Sequence, residues 1–398
     1  MVTLYLLKNK MKNSILYIGL SFITAFTLNS CKNDLDVLAP GEESVSVYGI
    51  INPNEPIQNI RINKVYLTDG DGLTAGQNGE TINYGPGELK VTLQRFMTGS
   101  TTPAVTSIGT GTIGAKKEIV LTETVVTTAG GNFNTQQRIW QTTDKLYNSG
   151  EYKLTIKNIN TGKEFTSQTI MVDSVKATGN LPPFIYTAFA PPGHYPVHCG
   201  IGNGGYTPPT ASIQTQQLAY IDYHVLTGTP KISFKSVVNA KNYKVILRFH
   251  YIDSLTDNVT GYRRFVDMNF PTQTSSTLAG GEPLEVSFST PDFYSNIASQ
   301  IPKQTVGAIK LRRAHFIEYI IYASNEDMNT FLQVNQPSNS IAQDKPNYTN
   351  INGGVGVFAG ISKTALGKEL KSDFIDEISD NPLTSSLLFA KRYTFICP

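Results

Sequence analysis

Tyr152, Leu154 and Ile156 alternate with Lys153, Thr155 and Lys157, and this period of two, repeated in short runs along the chain, is the tightest constraint on its fold. A strand sends successive side chains to opposite faces, so each run must cover a core on one side and meet water on the other. Ser44 to Ile51 has the same pattern and stops at Asn52-Pro53-Asn54-Glu55-Pro56, after which Gln58 to Leu67 resumes it. A turn-rich gap between two such runs predicts a hairpin or meander step. Further strands are expected over Leu89 to Phe96, Glu118 to Thr127, Arg138 to Thr142, Glu151 to Asn158 and Thr166 to Val172.

From Gly179 to Pro209 the composition changes to Pro182-Pro183, Pro191-Pro192-Gly193 and a Gly200 to Gly205 run. Beyond it, strands are expected over Ile213 to Leu226, Lys231 to Phe234, Asn242 to Ile252, Gly261 to Phe270, Leu284 to Phe288, Gly307 to Ala323 and Val355 to Phe358. Helices are few and marked by their caps: Thr290-Pro291-Asp292 opens one, Ser324-Asn325-Glu326-Asp327 a second, and Ser372 to Ser379 is a third. With 398 residues, 40% hydrophobic and only 16% charged, the chain is long and apolar enough for two cores. The expected class is all-β, mainly β with a few short helices, as two β-sandwich domains of immunoglobulin or fibronectin-III type. Their expected spans are 44–178 and 213–398, joined by a linker or loop over 179–212.

The N-terminus is read separately. From Met11 a basic Lys12 precedes Ile15, Leu16, Tyr17, Ile18, Leu20, Phe22, Ile23, Ala25, Phe26 and Leu28, the h-region of a signal peptide that is too short to span a bilayer as a mature helix. The ten residues before Met11 read as an upstream start extension. The segment ends in Leu28-Asn29-Ser30-Cys31, which resembles the bacterial lipobox with Asn29 as its departure. Residues 1–30 are thus expected to be removed, Cys31 to carry lipid, and 31–43 to form a tether. Two acyl chains or more on one cysteine suffice for stable anchoring. Lys32-Asn33-Asp34-Leu35-Asp36 resembles the short charged signals that send such proteins to the outer face of the outer membrane in Bacteroidota.

Three of the 33 basic residues and none of the 31 acidic ones precede Cys31, so the remainder is about neutral. No run of Lys and Arg breaks that balance, and nucleic acid is not an expected partner. Besides Cys31, the remaining cysteines are Cys199 and Cys397, an even pair in an oxidising compartment. They are expected as a disulfide; the alternative is two separate buried thiols.

The other constellations point to little chemistry. Gly200 to Gly205 sits between prolines, without the strand and helix that a phosphate-cradling loop needs. His194 and His198 beside Cys199 lack further ligands, and prolines deny them helical spacing. Asp69-Gly70-Asp71-Gly72 opens like a calcium loop and lacks the rest of one. His224, His250 and His315 lie in strand-like runs and are expected on sheet faces. There is no nucleophile elbow, no metal site is expected and no cofactor is implied. Trp140 is the lone tryptophan, and the 20 tyrosines are expected to pack in sheets rather than to serve as sugar platforms. Asp173-Ser174-Val175 and Asp253-Ser254-Leu255 resemble the short O-glycosylation acceptor of Bacteroidota, which makes Ser174 and Ser254 candidate modification sites.

Three segments together resemble a family of Bacteroidota outer-membrane lipoproteins defined by a domain of unknown function. They are Val47 to Asn54 with Ile60 to Lys64, Tyr243 to Tyr251, and Lys345 to Phe358. In the last, an Asn-Ile-x-Gly-Gly-x-Gly-Val-Phe run places glycines where a backbone must turn or be approached closely. The resemblance implies a mostly β protein at the outer membrane, with no catalytic residues to carry over. The expectation is a lipid-anchored, non-enzymatic binding or accessory component, exposed at the cell surface or facing the periplasm, with an outer-membrane receptor or transporter as its partner. The alternative is a carbohydrate-binding or glycan-acting surface protein.

Overall fold

The computed structural model describes residues 43–65, 72–108, 114–127, 136–175, 230–255, 261–303, 309–335, 348–370 and 372–391. The described residues from Ser44 onward form one compact unit. Its strands are β1 (Val45–Ile51), β2 (Gln58–Lys64), β3 (Leu89–Phe96), β4 (Thr122–Thr127), β5 (Gln136–Thr142), β6 (Glu151–Asn158), β7 (Glu164–Ile170), β8 (Lys231–Lys235), β9 (Asn242–Leu255), β10 (Gly261–Asn269), β11 (Pro283–Ser287), β12 (Ile309–Ser324) and β13 (Gly354–Glu369). The helices are α1 (Gly72–Gln77), α2 (Gly79–Ile82), α3 (Thr290–Gln300), α4 (Glu326–Asn335) and α5 (Ser372–Asp380). The mostly β class is as expected.

A large sheet runs in the order β10-β9-β12-β13-β1-β2-β5-β4. All its pairings are antiparallel except one: β1 lies parallel to β13, with Val45 opposite Gly354 and Ile51 opposite Gly360. β13 uses its two halves differently. Its first seven residues pair with β1, and Ile361 to Glu369 pair antiparallel with Ser324 to Phe316 of β12. The halves expected as separate domains over 44–178 and 213–398 are therefore joined through one 16-residue strand. The physical reason is that β1 finds its hydrogen-bonding neighbour some 300 residues downstream, a pairing that no local pattern announces.

A second sheet, built on β7-β6-β3 with Ile351–Asn352 beside β7, faces the β1, β2 and β5 end of the large sheet. Between them lies the first core: Val45, Val47, Ile60, Ile62, Trp140, Leu93, Tyr152, Leu154, Ile156 and Phe165, with Ile351 and Phe358 arriving from the far end of the chain. The second core lies under β9 and β12, where Tyr243, Val245, Leu247 and Phe249 alternate inward opposite Ile317, Tyr319 and Ile321. Its other wall is the β8–β11 ladder, α3 with Phe293 and Ile297, and α5 with Phe374 and Ile378.

α3 begins one residue earlier than its sequence suggests. Ser289, not Thr290, is the cap: its hydroxyl accepts from the Asp292 N–H at 3.1 Å, while the Asp292 carboxylate accepts from the Ser289 N–H at 3.1 Å. Those bonds hold the Asp292 carboxyl below its usual range.

Glycines make the seam between β1 and β13 feasible. A Cβ on Gly356, whose φ is +111°, would lie 2.0 Å from the Val47 carbonyl oxygen, and one on Gly354 would lie 2.5 Å from that of Val45. Asn350 secures the same strand by donating from Nδ2 to the Phe358 carbonyl at 2.7 Å and accepting the Phe358 N–H at 2.9 Å. Beyond it, fully buried Asn325 donates to Thr169 Oγ1 at 2.7 Å and to the Ile170 carbonyl at 3.1 Å, and accepts the Met328 N–H as cap of α4. Asp327 of the same helix accepts the Tyr348 hydroxyl at 2.7 Å. Burial and then that bond raise the pKa of Tyr348.

Each core also holds a buried tyrosine whose hydroxyl is hydrogen-bonded. Tyr152 accepts the Tyr147 N–H at 2.9 Å and donates to the Thr106 carbonyl at 2.9 Å, and Tyr243 accepts the Val237 N–H at 2.7 Å. Burial pushes both pKa values up to about 12.

Two outcomes follow. Gly356→Ala is expected to lose about 3 kcal/mol or more of stability in chemical denaturation, whereas Gly114→Ala, at a glycine with nothing near its Cβ position, changes it by no more than about 0.5 kcal/mol. In an ultraviolet titration of the folded protein, Tyr152 and Tyr243 resist ionisation until about pH 12 and Tyr348 is delayed as well, while in denaturant all titrate near pH 10. The native state favours the protonated phenols, so this contribution to stability is complete below about pH 10 and is lost as pH climbs toward 12.

Candidate functional site

Two surfaces of the body gather polar and charged side chains. The first is a cleft of about 570 Å³ at one end of the first core, lined by Lys64, Asn78, Asn83, Tyr84, Glu88 and Arg138 among others. Lys64 comes from the last position of β2 and lies 5.3 Å from the centroid of the Tyr84 ring. Arg138 of β5 pairs with Glu123 of β4, whose other oxygen accepts the Gly87 N–H at 2.8 Å. Glu88 accepts the Gly85 N–H at 2.7 Å and Asn158 Nδ2 at 3.2 Å. Asn83 accepts Asn63 Nδ2 and donates to the Gln136 carbonyl, both at 3.2 Å. These polar groups hold one another in place, so the wall is pre-organised. Tyr84 is buried and forms the floor rather than a stacking platform. The arrangement offers cations, amides and carboxylates to a small polar ligand.

The second surface is the face of β9, β10 and β12 turned away from the second core. Phe265, His250 and Phe316 stand in one rung across the three strands, with ring centroids 6.0 and 4.0 Å apart and the last two rings nearly parallel. In the next rung Arg248 grips Asp267 through two bonds, at 2.7 and 2.9 Å, and lays its guanidinium over the Phe265 ring at 3.9 Å. Hydrogen bonding to Asp267 raises the Arg248 pKa. His250 Nε2 lies 2.9 Å from Glu318. Phe265 remains 53% exposed. A register shift beside His250 leaves His315 as the extra residue of β12.

Behind this surface, buried Arg312 of β12 bonds Asp253 at 2.9 Å and donates to the carbonyls of Leu387 at 2.8 Å and Pro302 at 3.1 Å. Backbone bonds from Arg312 to Leu388 and from Ala390 to Arg312 complete the attachment of the segment after α5.

The residues singled out from sequence are placed unevenly. Cys31, Cys199, Cys397, His194, His198, His224, Asp69, Asp71 and the Gly200 to Gly205 run lie outside the described residues. Ser174 is half-buried, and its hydroxyl is bonded by Asn54 Nδ2 at 3.2 Å and by the Ser362 hydroxyl at 2.9 Å. Ser254 falls in β9 opposite Gly261 and Leu311, just before 256–260. Trp140 is buried in the first core, so it is no sugar platform. Among the described residues, no three His, Cys, Asp or Glu side chains gather as metal ligands. None of the helices described is long and apolar enough to cross a membrane.

Sequence reasoning missed the gathering of Arg263, Arg264, Arg312 and Arg313. The two Arg-Arg pairs were visible, but their convergence depends on strand register, so the even charge along the chain hid a local concentration.

No protein-family model matches the chain, and no curated protein does. Among solved structures, a similarity is found to the C-terminal globular domain of an oligosaccharyltransferase from Pyrococcus abyssi, at 8% identity and a TM-score of 0.17. It covers 83% of this chain and 49% of that one, so the chain spans about half of the structure it matches. A TM-score of that size bears on neither fold nor activity.

Replacing Arg312 by Ala is expected to leave buried Asp253 with only the more distant Arg264, at 3.7 Å, and to cost about 3 kcal/mol. It also frees the segment over 385–391, which hydrogen exchange reads as lost protection at the Ala390 amide.

Proposed function

We propose that the chain is a lipid-anchored outer-membrane protein that binds a polar ligand or partner without transforming it, as an accessory to an envelope receptor or transporter. The observation that carries the reading is that the compact unit formed by the described residues begins at Ser44, 13 positions after Cys31. That division suits an anchor, a short tether and a separate body. The signal-like run before Cys31, the lipobox-like Leu28 to Cys31 and the resemblance of three segments to Bacteroidota lipoproteins support the same reading. The ligand site is the cleft at Lys64, Asn78 and Arg138, whose polar wall is fixed before anything binds. A second reading, a carbohydrate-binding surface protein, is favoured by the exposed Phe265 ring held under Arg248.

The test expresses the full chain with its own signal in a diderm host, labels it with radioactive palmitate and digests intact cells with a protease beside a periplasmic control. The expected result is a labelled protein in the outer-membrane fraction, cut on intact cells. Cys31→Ala is then unlabelled and leaves the membrane. An unlabelled, soluble wild-type chain overturns the anchor, and protection until the outer membrane is opened overturns surface exposure in favour of the periplasmic face.

A further inference from the structure

We propose that the cleft at Lys64 is a binding site for short peptides with free ends, Lys64 taking the terminal carboxylate, Glu80 the terminal ammonium and Asn78 a peptide carbonyl between them. The proposal rests on the reading of that cleft as the ligand site and names the class of ligand it takes.

The argument starts from which groups of the wall are already engaged. The charged residues lining the cleft are Lys64, Glu80, Glu88 and Arg138. Arg138 pairs with Glu123. Both oxygens of Glu88 accept hydrogen bonds, one from the Gly85 N–H at 2.7 Å and the other from Asn158 Nδ2 at 3.2 Å. Asn83 is likewise bonded on both sides, by Asn63 and to the Gln136 carbonyl.

Lys64 and Glu80 differ from these. Among the described residues no carboxylate pairs with the Lys64 ammonium, which lies 5.3 Å from the centroid of the Tyr84 ring. The exposed Glu80 carboxylate meets no cation or hydrogen-bond donor among the described residues. Asn78 is half engaged: its Oδ1 accepts the Glu80 N–H at 3.0 Å, which fixes the amide beside the residue that bears the open carboxylate, while no described residue accepts from its Nδ2.

The cleft therefore offers an ammonium, a carboxylate and an amide donor on a wall whose own bonds involve other groups. Its two cations and two carboxylates cancel. A ligand bearing only negative charge would meet Glu80 and Glu88 as well as Lys64, and one bearing only positive charge would meet Lys64 and Arg138. A ligand with one charge of each sign satisfies both open groups through charge-assisted hydrogen bonds. A peptide with free ends carries those two charges with a carbonyl between them, the acceptor that Asn78 Nδ2 lacks. Pro86 and Val125, the latter 50% exposed, supply apolar surface for small side chains. The volume of about 570 Å³ suits a small molecule rather than a folded partner.

The test is isothermal titration calorimetry of the full chain in detergent micelles with dialanine, dialanine amide, N-acetyldialanine and inorganic phosphate. Dialanine is expected to bind, and blocking either end to weaken it at least about tenfold. Lys64→Met is expected to lose about tenfold or more for dialanine and to leave the weaker binding of its amide unchanged. Glu80→Gln is expected to lose as much for dialanine and to leave N-acetyldialanine unchanged, while Lys64→Arg and Glu80→Asp retain most of the affinity. Unfolding midpoints equal to wild type confirm that each variant is folded. The proposal is overturned if dialanine does not bind, if a blocked peptide or phosphate binds as tightly, or if folded Lys64→Met or Glu80→Gln binds dialanine as wild type does. Equal binding of the blocked peptides removes the zwitterionic class and leaves the cleft as a site for polar ligands. Recovery of intact dialanine, read by NMR, checks separately that the ligand is bound without being transformed. The anchor is tested on membranes and stands or falls independently of these titrations.

Discussion

The parallel contact between β1 and the first half of β13 is the constraint on which the rest of the structure depends. Two backbones meet so closely there that Gly354 and Gly356 leave no space for side chains facing the carbonyls of Val45 and Val47. The contact does three things together. It gives β1 its second neighbour, it brings Phe358 and Ile351 into the first core, and it continues the same strand into the sheet above the second core. Asn350 and Asn325 reinforce it by satisfying backbone groups at the seam, where regular strand pairing changes from one partner to another. Buried amides that satisfy several groups are costly to misplace, which favours one arrangement of the two halves over its alternatives.

Much of this was legible where one sheet face is core. The strands over Leu89 to Phe96 and Glu151 to Asn158 are read to the residue, because Leu89, Val91 and Leu93, and Tyr152, Leu154 and Ile156, alternate cleanly against polar neighbours. The glycine run at 353–356 was also legible as a place of turning and close approach. What was hidden is pairing at a distance. The second half of β13 reads poorly as a strand because Ser362 and Thr364 face not a hydrophobic layer but the hydroxyl of Ser174 and the carbonyl of Val175, while Gly360 and Gly367 look like breaks. Helices α1 and α2 carry too few apolar positions to show a period.

The candidate sites were less legible than the fold for a related reason. The cleft is assembled from β2, α2, the turn over Asn83 to Glu88 and β5, and its residues have no common motif. The Phe265 face is assembled by register alone: Arg248 and Asp267 are 19 positions apart, and Arg263 and Arg313 are 50. Charge counted along the chain averages such groups away, whereas charge counted across rungs brings them out.

The placement of β1 also governs how the molecule can form. Its partner strand begins at Gly354, so more than three hundred residues must be available before the large sheet can close. Closure of so long a loop is entropically expensive, and contacts of such separation slow folding. Until then the N-terminal half holds an incomplete core, short of Ile351 and Phe358, with one edge of β1 open. A chain built this way stays unclosed while it is being made, and locks only when about the last ninth of it arrives. Premature folding of the first half is thereby discouraged by topology itself.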